Sequence, residues 1–403
     1  MQKESYVIKE SINKTTLWKD KQPLLSRLDM ELTERCSNDC IHCCINLSEE
    51  DLAAKNKELS TDGIKRILKE AASLGCMSVR FTGGEPLLRV DFEEVYIFSR
   101  RLGLKVLLFT NATLITPHLA GLFSRIPPLE KIEVTVYGMK KNSYEAATRV
   151  PGSYEAAWRG INLLLEKKIP FVVKGALLPS NKNEMPEFKS WAETIPWMDK
   201  PPSYSMFFDL RCRRDGQKNQ AIKSLRLSAE EGLKILTRDE DGYIKGMKEF
   251  CSKFMRPSGD KIFACGAGNC GGCVDAYGKF QLCMMLRHPE TVYDLRKGTL
   301  LDALTNFFPR VRQMKAVNPD YLLRCAKCFL KGLCEQCPAK SWAEHGTLDT
   351  PVEYLCEIAH IQARFLELVK KDEWAWEVKD WQERIRQFVE SDLVKAGGRV
   401  NGE

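Results

Sequence analysis

The chain has 403 residues, 44% hydrophobic and 29% charged, with a formal net charge of +7. That length exceeds one compact core and points to about two domains. No stretch approaches the roughly 20 apolar residues of a membrane span, and Met1-Gln-Lys-Glu-Ser lacks the basic-then-apolar build of a signal peptide, so no membrane partner is expected and a cytoplasmic location is.

Lys and Arg are spread along the chain and mixed with acids, the pattern of a solvated surface rather than of a nucleic-acid site. The 16 cysteines are the anomaly. Disulfides are rare in reducing cytosol, so clustered thiols there point to metal binding or chemistry.

Residues 1–25 form an N-terminal segment. From 26 to about 240, strand-like and helix-like stretches alternate, which predicts a parallel sheet with helical crossovers. The expected strands are Ser26–Leu32, Ser78–Phe81, Lys105–Thr110, Lys131–Tyr137, Phe171–Leu177 and Ser203–Phe208. The expected helices are Gly63–Leu74, capped by Ser60 and ended by Gly75, then Asp91–Leu102, Thr116–Ile126, Ser153–Lys167 and Asn183–Ile195. Six such units make a partial (β/α)6 TIM-like barrel, whose chemistry belongs on the loops after the strand C-termini. The unusual residues fall there, from Cys36–Cys43 after the first strand to Arg211-Cys212-Arg213-Arg214 after the sixth.

Between 250 and 360 the alternation fades and cysteines dominate, which predicts a metal-stapled domain with little core of its own. Residues 361–403 read as a helical extension. There Trp374, Val378, Trp381, Ile385 and Phe388 recur at helical spacing. Packing against the rest of the protein explains such a stripe, and a partner-docking face is the alternative.

Cys36, Cys40 and Cys43 form C-x3-C-x2-C. Three bunched thiolates can hold three irons of a [4Fe–4S] cluster and leave the fourth open to a small molecule. Structural zinc is the rival, but it takes four ligands, often as separated pairs, and His42 is the only nearby fourth. Gly83-Gly84-Glu85-Pro86 follows the second strand. Its glycines allow close backbone approach to a ligand, and its peptide groups with the Glu85 carboxylate can hold an amino group. Together the two motifs resemble the radical S-adenosylmethionine (SAM) superfamily.

That resemblance implies a SAM molecule on the open iron, with its amino group at Gly83, Gly84, Glu85 and Pro86. It places Thr135 and Arg149 near the SAM carboxylate, Asn111 near the ribose, and His42 at a usually aromatic position, where simple packing of the loop is the other reading. It implies reductive cleavage of SAM to a 5′-deoxyadenosyl radical, with hydrogen abstraction from an otherwise inert carbon.

Cys325-x2-Cys328-x5-Cys334-x2-Cys337, a final Cys356, and an upstream Cys265 with Gly278-x4-Cys283 resemble the SPASM extension of that superfamily. The resemblance implies two auxiliary [4Fe–4S] clusters, three in all. One takes Cys265, Cys283 and Cys337, completed by Cys270 or Cys273, with Cys270 preferred, or by neither, which would leave an open iron for a substrate thiolate. The other takes Cys325, Cys328, Cys334 and Cys356. Gly266-Ala-Gly268-Asn-Cys-Gly271 fits a dinucleotide fingerprint but lacks the strand–helix context. Cys76, Cys212 and Cys251 read as ordinary thiols.

Relatives with this extension mostly modify peptides or proteins, which predicts maturation of a ribosomally made peptide by a crosslink or thioether. The reductant implied is a flavodoxin or ferredoxin. Met284 follows Cys283 where anaerobic sulfatase maturases carry an aspartate. With about 25 residues before the barrel, leader capture would fall to a separate protein or another surface. The alternatives are radical modification of a small molecule such as a tetrapyrrole, and a non-catalytic iron–sulfur carrier, which would have no use for Gly83–Pro86.

Overall fold

A computed structural model describes residues 25–212 and 215–391, together with the backbone of Trp18–Lys19 and Gln22–Pro23. Arg213, Arg214, most of the N-terminal segment and the end of the C-terminal extension lie outside the described residues.

The expected strands form as β1 (Arg27–Thr33), β2 (Ser78–Gly83), β3 (Lys105–Thr110), β4 (Leu129–Val136), β5 (Phe171–Ala176) and β6 (Ser203–Ser205). They pair in parallel, in chain order, from β1 to β6. This is the α/β partial barrel that the alternation predicted. Period-two burial sets each strand's facing. Leu28, Met30 and Leu32 of β1 are at most 1% exposed, while Asp29 and Glu31 point to the other side. On that polar side Arg80 pairs with Asp29 (3.1 Å) and Lys174 with Glu133 (2.6 Å).

The crossovers are α1 (Thr61–Ser73), α2 (Phe92–Arg101), α3 (Pro117–Arg125), α4 (Lys141–Thr148), α5 (Ser153–Glu166) and α6 (Met185–Ala192). The Ser60 hydroxyl accepts from Gly63 N–H at the start of α1, and Gly75 takes a left-handed φ of 86° at its end. Thr116 caps α3 in the same way. Helix α4 was not expected, because Lys-Asn-Ser-Tyr-Glu-Ala-Ala-Thr offers little apolar periodicity.

The chain divides into two compact units, one of residues 1–225 and 265–312, the other of 226–264 and 313–403. The division is not in chain order, because three further strands join the barrel sheet. β7 (Gly271–Val274) pairs in parallel with β1, and β8 (Lys279–Gln281) and β9 (Val292–Asp294) continue antiparallel. The first half of the cysteine-rich region thus belongs to the barrel unit.

The second unit has a substantial core, where a metal-stapled domain with little core of its own was expected. Helices Glu240–Phe254, Glu353–Phe365 and Trp381–Glu390 bury Ile244, Cys251, Phe329, Leu330, Ala359, Ala363 and Leu368 together. Val378, Ile385 and Phe388 lie in that core and Trp381 packs against it, so most of the aromatic stripe is packing. Trp374 departs from it, 46% exposed and stacked on Trp376 at 4.9 Å. Among the described residues no helix is long and apolar enough to cross a membrane.

Candidate radical SAM site

The loops after β1 to β4 meet at one cavity of about 140 Å³, partly open to solvent. Cys36, Cys40, Cys43, Gly83, Gly84, Asn111 and Thr135 share its wall with Asn38, Asn46, Phe109, Tyr137 and Lys174. Two sulfurs already accept backbone hydrogen bonds, Cys36 Sγ from Asn38 N–H (3.4 Å) and Cys43 Sγ from Asn46 N–H (3.3 Å). Asn111 Nδ2 reaches Cys36 Sγ at 3.7 Å, and Tyr137 hydrogen-bonds Cys40. Burial pushes the Cys36 and Cys40 thiols up, so thiolates there require a bound cation. An iron cluster would supply one, and the sulfurs' N–H donors suit thiolate ligands.

The loop is held from outside. Asp39 N–H and Ile41 N–H donate to Thr148 O and Ala147 O at the end of α4. Inside it, His42 packs between the rings of Tyr137 (5.6 Å) and Phe208 (5.0 Å) with Nδ1 unpartnered. Burial lowers its pKa to about 4, so it is neutral and acts as an aromatic packing residue.

The Gly-Gly loop packs closely on the first loop. A Cβ on Gly83 would lie 2.0 Å from Thr33 O, and one on Gly84 2.2 Å from Arg35 O. The glycines therefore admit the first loop's own backbone. Gly84 N–H donates to Thr33 O (2.7 Å) and Glu85 N–H to Arg35 O (2.9 Å). Glu85 is fully buried and accepts from Thr110 Oγ1 (2.8 Å), Asn111 N–H (2.8 Å) and Leu87 N–H (3.2 Å). Both its oxygens are used inside the fold, tying the second loop to the third. Pro86 opens the short turn that follows. The groups left for a ligand are the loop's other peptide atoms.

Arg149 is likewise engaged, with its guanidinium paired to the Asp39 carboxylate and Nε donating to Asp39 O (2.9 Å). It adopts a left-handed φ of 56° at the end of α4 and is not among the residues lining the cavity.

In the second unit, Cys325, Cys328, Cys334 and Cys356 line one cavity with Arg324, Lys331, Gln336, His360 and Trp376. These are the four cysteines that resemblance grouped for one auxiliary cluster. Arg324 Nη2 approaches Cys356 Sγ at 3.7 Å while the guanidinium pairs with Glu353 at 2.7 and 2.8 Å. His360 Nδ1 lies 2.9 Å from Cys356 O, and Nε2 accepts from Ala375 N–H (3.2 Å), which places its proton on Nδ1. Cys337 also lies in this unit. In the barrel unit, Cys265 is exposed and Cys270 and Cys283 are half-buried, but Cys273 is 0% exposed in β7. Its thiol is walled off from solvent.

Residue types alone did not find several of these partners. Cys212 is not isolated, since its thiol meets that of Cys44. Arg287 lies buried against Glu31 (2.6 Å) and Glu34 (2.5 Å). Arg211, singled out only as part of a basic run, turns inward onto the cysteine loop.

Residues 30–192 match the Radical SAM superfamily model. The AdoMet-dependent heme synthase of Methanosarcina barkeri is 25% identical over 335 residues, 78% of this chain and 92% of that protein. The Fe-coproporphyrin III synthase of the same organism is 29% identical over 168 residues, 42% of this chain and 40% of that one. Coverage thus runs from nearly all of one curated relative to under half of another. Among solved structures, anSMEcpe with bound AdoMet superposes with a TM-score of 0.57 at 15% identity, covering 90% of this chain and 98% of that one. Streptococcus suis SuiB bound to S-adenosylmethionine gives 0.58 at 17%, covering 80% and 75%. At such identities these two show a shared fold. The chain carries a radical SAM superfamily domain and is an enzyme of radical-based oxidoreductive chemistry.

Proposed function

We propose that the enzyme cleaves SAM at a [4Fe–4S] cluster held by Cys36, Cys40 and Cys43 and abstracts hydrogen from a carboxylate-bearing tetrapyrrole of the haem type. The observation that carries the first part is the single cavity lined by the three cysteines, Gly83, Gly84, Asn111 and Thr135. The second part is supported by the relative named as a heme synthase, aligned over 92% of its length. The cavity wall also offers a flat substrate the Phe109 ring, with Lys174 Nζ 3.7 Å from its centre.

In this reading a reduced cluster with bound SAM supplies a 5′-deoxyadenosyl radical. The chain's own residues orient and shield. Peptide groups of Gly83–Pro86 receive the SAM amino group on a loop that Glu85 holds rigid. The Thr135 hydroxyl faces the SAM carboxylate, and Arg149 reaches it by leaving Asp39. Asn111 stands at the ribose.

Cys325, Cys328, Cys334 and Cys356 hold one auxiliary cluster. For the other, the barrel unit offers Cys265 and Cys283, with Cys270 rather than the buried Cys273. A cytosolic flavodoxin or ferredoxin is the reductant.

A second reading, maturation of a ribosomally made peptide, is favoured by the fold shared with anSMEcpe, which was solved with a bound peptide (TM-score 0.56). The test is anaerobic reconstitution to about twelve irons per chain, reduction, and addition of SAM with either iron-coproporphyrin or a cysteine-rich peptide. Formation of 5′-deoxyadenosine accelerated by the porphyrin supports the proposal, and acceleration by the peptide alone shifts it to the second reading. No 5′-deoxyadenosine under any condition refutes SAM cleavage.

A further inference from the structure

Arg211 stands in the loop after β6 and is 2% exposed. Its Nη1 donates to Cys43 O (3.3 Å) and Asn46 Oδ1 (3.1 Å), and its Nη2 to Ile45 O (3.3 Å) and Asn46 O (3.0 Å). These acceptors are all neutral. The carboxylate paired with it, Asp215, is 3.9 Å from Nε and 41% exposed. A buried cation without close neutralisation is strongly disfavoured. A thiolate-ligated cluster in the adjoining loop would provide negative charge.

The contacts also have a direction. Ile45 C=O and Asn46 N–H belong to one peptide group. Arg211 binds its oxygen, and its N–H donates to Cys43 Sγ. A cation on the carbonyl polarises the N–H at the far end and strengthens its bond to sulfur. Asn46 extends the hold, because its Nδ2 donates to Asn38 O and Asp39 Oδ1, both at 3.3 Å. One guanidinium thereby fixes both ends of the triplet loop.

We propose that Arg211 is a positioning residue that raises the reduction potential of the cluster bound by Cys36, Cys40 and Cys43, acting through the Ile45–Asn46 peptide. This rests on the assignment of those cysteines to the SAM-binding cluster. Reduction adds negative charge to the cluster, so a nearby cation and a stronger N–H···S bond both favour the reduced form.

The test is an anaerobic redox titration of the reconstituted full-length enzyme followed by electron paramagnetic resonance. A Cys36→Ala/Cys40→Ala/Cys43→Ala variant identifies the triplet's signal, and if no signal and no iron disappear there, the assignment fails rather than the role of Arg211. Arg211→Met is expected to lower the reduced-to-oxidised ratio of that signal about tenfold at a fixed potential, a shift of about 59 mV. The auxiliary signals should not move, and Arg211→Lys should restore part of the ratio. If Arg211→Met does not load the triplet cluster, Arg211→Lys decides, with a ratio expected below wild type. A triplet titration that superimposes on wild type in the variant that loads overturns the proposal.

Discussion

Gly84→Ala tests the claim that the Gly-Gly loop is shaped by the backbone beneath it. The new Cβ would lie 2.2 Å from Arg35 O and 2.6 Å from both Arg35 C and Glu34 O. These are backbone atoms, so no side chain can swing aside and the second loop must lift. Lifting it breaks Gly84 N–H to Thr33 O and Glu85 N–H to Arg35 O. Each buried group left unpaired costs about 1–3 kcal/mol. Gly84 does not have positive φ, so no torsional strain adds to this. Alanine returns about 0.4–1 kcal/mol by narrowing the unfolded ensemble. The net expectation is a loss of about 2–5 kcal/mol, with SAM binding weakened at least tenfold. Gly216→Ala is the control, since a Cβ there would meet nothing within 4 Å, and it should be neutral or slightly stabilising. Denaturant unfolding and SAM binding by calorimetry on both variants read this out. A Gly84→Ala protein within about 0.5 kcal/mol of wild type, with unchanged SAM affinity, would refute the reasoning.

Other expectations follow from burial. Burial pushes the Glu85 carboxyl up to about 7, against the donors Asn111, Thr110 and Leu87. A raised folded pKa means that the native state keeps a proton the unfolded chain releases near 4.5. The associated stability is therefore complete below 4.5 and is lost as pH rises through about 7, to the extent of about 3 kcal/mol. The stability gap between wild type and Glu85→Gln, measured by denaturant melts from about pH 5 to about pH 8, should shrink with rising pH, and a pH-independent gap counts against it. Cys270→Ala should lose auxiliary-cluster iron, whereas Cys273→Ala should keep its iron and lose about 1 kcal/mol of stability; the reverse pattern of iron loss would exchange their roles. Cys328→Ala should lower iron by about four per chain while leaving the triplet's signal intact, and full iron retention would remove that residue from the ligand set.

The sequence by itself determined the order of the β/α units and the positions of the cysteine loop and the Gly-Gly loop. These follow from local causes: alternation of apolar residues along each strand, Ser60, Thr116 and Gly75 at helix ends, and ligand spacing within eight residues. The tertiary structure decided what those residues touch. Glu85, read as a ligand group, is a buried bolt between loops, because Thr110 and Asn111 come to it from 25 and 26 residues away. Arg211 clamps carbonyls 165 to 168 residues earlier in the chain, a partnership that no local pattern encodes. Cys270 and Cys273 differ by three positions in the same loop-strand segment, and only the pairing of β7 with β1 buries one and leaves the other open. Short-range periodicity fixes elements, whereas hydrogen bonds and burial between distant segments exist only once the sheet has closed around them.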